Sequence, residues 1–134
     1  MVTPILTLMS LPAKILLGIH IFAAMVLMSA PIQAVFNRTV ATLPRQRALI
    51  MSIILLFTGI QNFITVIGTG VPKGWHMWFG IKFLVGLHLI AINMLVANST
   101  MPEAKKLRLL QGAGISGFVG ILLATYLNYL RTGN

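Results

Sequence analysis

Four long apolar stretches, separated by short polar or turn-rich connectors, divide the chain into predicted membrane-spanning helices at about residues 13–36, 48–67, 75–97 and 107–130. Each is long enough to cross a hydrocarbon core that needs about 20 apolar residues. The first connector carries Arg38, Arg45 and Arg47 around the helix breaker Pro44, and the second, with Gly68, Gly70, Pro72 and Gly74, is a tight turn-rich loop. The third, from Asn98 to Lys106, holds Thr100, Pro102 and Glu103, a helix-start signature. Ahead of the first span, Pro4 and Pro12 interrupt the apolar run over residues 1–12, which reads as an interfacial lead-in. A cleaved signal peptide is not expected, because no basic region precedes the apolar run and Pro31 follows the small pair Ser29-Ala30. The pattern predicts an all-α fold, an integral membrane four-helix bundle forming a single domain over residues 1–134.

Composition removes the soluble alternative: 57% of residues are hydrophobic, 8% are charged and the mean hydropathy is +0.94. A net charge of +9 would point to nucleic acid in a soluble domain, but here the basic residues flank apolar runs and act as topology signals, so no nucleic-acid partner is expected. Arg38, Arg45, Arg47, Lys105, Lys106 and Arg108 lie on one side, against Lys14, Lys73 and Arg131 on the other. This bias predicts the first and third connectors on the cytoplasmic side and both termini outside, with a bacterial cytoplasmic membrane as the expected location. Cysteine is absent, which excludes disulfides and thiolate metal sites, and the lone acidic residue Glu103 leaves no carboxylate pair for acid–base work. The glycines at 112, 114 and 117 sit in an apolar helix with no preceding strand, so they are no dinucleotide fingerprint, and no nucleophile–base arrangement is present.

Several polar residues lie inside the spans. The third, GWHMWFGIKFLVGLHLIAINMLVAN, carries His76, Lys82, His88 and Asn93, and a mid-membrane lysine costs about 2.5–3.5 kcal/mol on insertion scales. At 1.5 Å rise per residue, His20, Gln61, Asn62 and Lys82 fall at one level, about 5–7 Å outward of the midplane, with His88 within about 3 Å of it on the inner side. His20 lies on a stripe of small residues, Ala23, Ala24, Ala30 and Ala34, that turns it into the bundle. Asn and Gln at such depths commonly serve as interhelical hydrogen-bond glue. Lys82 needs more: snorkelling to the headgroups, or an anionic ligand. His20 and His88 are the candidate haem or metal ligands that a cysteine-free bundle can offer. His76, beside Trp75 and Trp78, reads as an interfacial residue, and with Met77 it could bind copper only weakly. In the fourth span, Ala113/Gly117 and Ser116/Gly120/Ala124 form small-residue registers for close helix packing.

Thr58-Gly59 in the second span, Trp78, Ile81-Lys82 and Asn93 in the third, and His20 in the first resemble the superfamily of small polytopic membrane proteins that includes the CopD copper-resistance domain and the HemJ-type protoporphyrinogen oxidase. The resemblance implies a helical bundle in which the first-span histidine and third-span lysine contribute to a haem or porphyrin site. The resulting expectation is a subunit of a membrane redox complex that binds haem b, with His20 and His88 as axial ligands, Lys82 paired to a propionate, and Gln61 and Asn62 lining the site. Two other classes stay open: a structural accessory subunit that docks on a larger membrane complex through its glycine-rich fourth helix, and a CopD-like copper-handling protein.

Overall fold

Ser10 opens the first helix, its hydroxyl accepting the Ala13 N–H at 3.4 Å, with Pro12 in the first turn where no N–H is needed. In the computed structural model, which describes residues 10–68, 70–98 and 100–132, this helix, α1, runs Leu11–Asn37 and ends at Arg38, whose left-handed backbone (φ 51°) turns the chain. Helix α2 (Arg45–Ile67) starts directly after Pro44, whose carbonyl accepts the Ala48 N–H at 3.0 Å. The following loop contains Gly70 and Gly74 at φ 81° and 87°, a conformation in which a β-carbon would be strained. Helix α3 (Trp75–Asn98) follows at once, and α4 (Glu103–Thr132) begins behind Pro102, with Glu103 in its positively polarised first turn. The four predicted spans are all present; α4 begins at Glu103 rather than residue 107 because its first polar turn continues the helix beyond the apolar run. The lead-in at residues 1–9 lies outside the described residues.

All four helices are long and apolar enough to cross a membrane, and the protein is an all-α membrane bundle. α1 packs along α2 and α4, and α3 packs along α4, while α2 and α3 touch much less. Large apolar side chains such as Phe36 (68% exposed), Leu84 (64%) and Leu122 (69%) lie on the outside, where lipid and not water is their solvent.

The buried core is concentrated in the half of the bundle next to the basic connectors, where Leu27, Ala30, Ala34, Val96, Leu110 and Ala113 are all but inaccessible. Small residues let α1 and α4 meet backbone to backbone there: a β-carbon at Gly114 would stand 3.0 Å from the Pro31 carbonyl oxygen and 2.6 Å from Val35 Cγ2. Gly117 likewise accommodates the buried Met28 side chain, and Gly120 faces Val85 of α3. Gly114, Gly117 and Gly120 of the fourth helix are therefore used inside the bundle, while Gly112 is exposed.

α1 continues as one helix through Pro31. Proline lacks the N–H that would bond the carbonyl four residues earlier, that of Leu27. Asn93 of α3 takes that place, its Nδ2 donating to Leu27 O at 2.9 Å and to Leu89 O at 2.9 Å. Nearer the end of α1, Gln111 Nε2 of α4 donates to Ala34 O at 3.1 Å.

Candidate functional site

Towards the α2–α3 loop the four helices stop filling the space between them and enclose a cavity of about 1090 Å³. Most of its wall is apolar, but His20 of α1, Asn62 of α2, Lys82 of α3, and Thr125 and Asn128 of α4 also line it. Wall residues Met25 and Ile60 are exposed, so the cavity is not sealed. At the loop end an aromatic cluster forms its roof. Phe63 and Phe79 stack at 4.6 Å between ring centroids, and the buried Trp75 stacks on Phe79 at 5.1 Å.

His20 is held in one orientation. Its Nδ1 lies 3.0 Å from Thr58 Oγ1 and 3.2 Å from the Leu55 carbonyl oxygen. The Thr58 hydroxyl donates its own proton to Ile54 O at 2.6 Å, so both neighbours of Nδ1 are acceptors and the proton on the neutral ring belongs at Nδ1. That leaves Nε2 with a free lone pair. This is the arrangement by which proteins orient a ligating imidazole, its other nitrogen bonded to a carbonyl. Gly59 makes the contact possible, since a β-carbon there would lie 3.2 Å from His20 Cε1.

Lys82 lies within electrostatic reach of His20, and its Nζ is 5.9 Å from the Phe79 ring centroid. A cation–π contact of this kind contributes about 0.5–2 kcal/mol, less than the insertion cost of a lysine at this depth. The chain's one acidic side chain, Glu103, belongs to the opposite end of the bundle. Asn62, one helical turn beyond Thr58, has both amide atoms buried without a hydrogen-bond partner. Each such atom forfeits about 1–3 kcal/mol.

Of the five residues expected at the site, the structure brings His20, Asn62 and Lys82 to one cavity and leaves two aside. Gln61, half-buried, is no part of the wall, because it is rotated about 100° from Asn62 on α2. His88 is exposed on the outer surface of α3, about 120° around the helix from Lys82, so an axial pair of His20 and His88 does not form within one chain. α3 is apolar around its whole circumference, and such a sequence carries depth but not rotation. No group of three His, Cys, Asp or Glu that could hold a metal ion occurs among the described residues. His76 stays at the rim, edge-on to Trp75 at 5.6 Å. Thr58 and the Leu55 carbonyl, which orient the imidazole, were outside the expected set; the four-residue step from Thr58 to Asn62 on one helix face is the signal that marks them. No protein-family model matches the chain, and neither the curated proteins nor the solved structures provide a match.

Proposed function

We propose that this protein is a small subunit of a redox complex in a bacterial cytoplasmic membrane and that its cavity holds a b-type haem or related porphyrin. The observation that carries the reading is His20: an imidazole fixed through Nδ1, with Nε2 unspent, in the wall of a mostly apolar cavity. The cavity is slightly larger than the range of small-molecule sites, about 300–1,000 Å³. His20 Nε2 would be the iron ligand. Lys82, with the one acidic side chain at the opposite end of the bundle, would take an anionic propionate, and the unpartnered Asn62 amide would give a second polar contact. When bound, the group supplies a one-electron redox centre whose potential the axial ligand and burial set. These are the same first-span histidine and third-span lysine that the resemblance to the CopD and HemJ-type proteins marks. His88 takes no part, so this chain contributes one histidine to the centre.

The test is a visible absorption spectrum of the protein purified in mild detergent. A Soret band is expected in the native chain and in His88→Ala, and is lost in His20→Ala. Lys82→Met should lower haem occupancy several-fold while thermal unfolding stays unchanged, since methionine keeps the volume and removes the charge. A colourless, metal-free protein sinks the reading, and stoichiometric copper in a colourless one replaces it with metal handling. The basic connectors favour a cavity in the outer half of the membrane. Single cysteines at Thr42 and Ala104 should therefore react only from the cytoplasm and one at Thr132 only from outside; the reverse labelling moves the cavity to the inner half.

A further inference from the structure

His88 is left over by that site, and its surroundings point elsewhere. Met77, Ile81, Leu84, His88, Ala91 and Leu95 are all exposed and follow one another in steps of four and three residues. Such steps keep them within about 40° of a single line along α3. The line faces away from the cavity, and His88 is its one polar member, about 3 Å from the middle of the helix. The imidazole makes no hydrogen bond to any described residue. In hydrocarbon, an N–H and a ring nitrogen without partners are each costly, so a second membrane segment is needed to satisfy them.

We infer that this face of α3 is a homodimer interface in which His88 of one chain hydrogen-bonds His88 of its partner. The neutral imidazole is electrostatically complementary to itself, since one ring donates its N–H and the other accepts on its bare nitrogen. Two copies inserted with the same orientation are related by a two-fold axis along the bilayer normal, and such an axis brings together residues of equal depth. The single polar group on the line therefore meets its own copy. The alternating steps are those of a left-handed helix pair, and Ala91, next to His88 along the line, lets the backbones approach. Charge also favours this face: a chain of net charge +9 repels its copy, but the line carries no cation, and Lys82 is turned about 120° away. The cavity remains open in the dimer, so the inference is independent of what the cavity holds.

The absence of cysteine makes the test direct. Full-length chains carrying Leu84→Cys, Leu95→Cys or, on α4, Leu122→Cys are reconstituted into phosphatidylcholine vesicles and oxidised. Disulfide-linked dimers are expected for the first two and not for the third. Because Leu95 is well away from the midplane, its crosslink requires parallel α3 helices. Adding His88→Leu should reduce crosslinking at Leu95→Cys about fivefold or more, the change that one interhelical hydrogen bond carries. His88→Asn, which both donates and accepts, should restore it. Leucine is at home in lipid, so circular dichroism and thermal unfolding of His88→Leu should match the native chain, separating loss of pairing from loss of fold. Crosslinking that fails at both α3 positions, or that is indifferent to His88→Leu, overturns the interface. So does native size measurement showing a monomer at the concentrations where crosslinks form.

Discussion

Asn93 and Asn62 are the same side chain in two regions of one bundle, and the structure treats them oppositely. Next to the basic connectors, Asn93 is buried and donates to the carbonyl that Pro31 leaves open, in a region where α1 and α4 touch backbone to backbone. Next to the α2–α3 loop, Asn62 lines a cavity together with His20, Lys82, Thr125 and Asn128, and neither atom of its amide has a partner. One half is closed and satisfied. The other keeps its space and its unpaired hydrogen-bonding groups, which is how a binding site differs from a core.

The largest effect that probes this contrast is overpacking. Gly114→Leu should destabilise the bundle by about 3 kcal/mol or more, at or beyond the top of the usual overpacking range of about 1–3 kcal/mol. Its side chain would meet the Pro31 carbonyl, and backbone cannot rotate out of the way. Gly86→Leu should be tolerated, because a β-carbon at Gly86 meets nothing within 4 Å and the position lines the cavity. Thermal unfolding in detergent measures both. If the two variants unfold alike, the halves are not packed differently. For the proposed haem the order should reverse: Gly86→Leu would fill part of the cavity and should lower haem retention in the folded protein.

A smaller effect belongs to the proline. Asn93→Ala leaves the Leu27 carbonyl unpaired in an apolar region and should cost about 1–3 kcal/mol. Adding Pro31→Ala in the same chain should recover much of that loss, because an alanine at this position restores the N–H that bonds the Leu27 carbonyl within the helix. A double-mutant cycle on thermal stability gives the coupling; additivity of the two changes would mean that Asn93 stabilises through packing alone.

The spans were legible in the sequence because hydropathy along a helix reports depth in the bilayer, and depth was enough to place His20, Asn62 and Lys82 at one level. Rotation was legible only where small residues broke the symmetry, as on the His20 face of α1. Nothing in α3 distinguishes the side that carries Lys82 from the side that carries His88, so the expected pairing of His20 with His88 rested on imidazole being the ligand that a cysteine-free bundle can offer, with no sign of which way His88 is turned. The same limit separates Gln61 from its neighbour Asn62. The bond between Asn93 and Leu27 was beyond reach for another reason: Pro31 announces an open carbonyl, but which helix satisfies it depends on how α1 and α3 pack.

The last comparison reverses a sign. Asn62→Leu removes a buried amide that has no partner and puts an apolar side chain of the same branching, though bulkier, into a largely apolar cavity wall. In a satisfied core, losing an asparagine costs stability, as for Asn93. Here the native side chain already bears the desolvation penalty in the empty bundle, so its removal should raise the thermal stability of the ligand-free protein by about 1 kcal/mol. The gain is small because leucine fits the shape only approximately. If the cavity holds the proposed haem, its retention should fall in the same variant, since an amide that would contact it is gone. A more stable protein that binds less is the signature of a functional residue. If Asn62→Leu instead unfolds at lower temperature with binding intact, the amide has partners in the native membrane, and both halves of the bundle bury their polar groups in the same way.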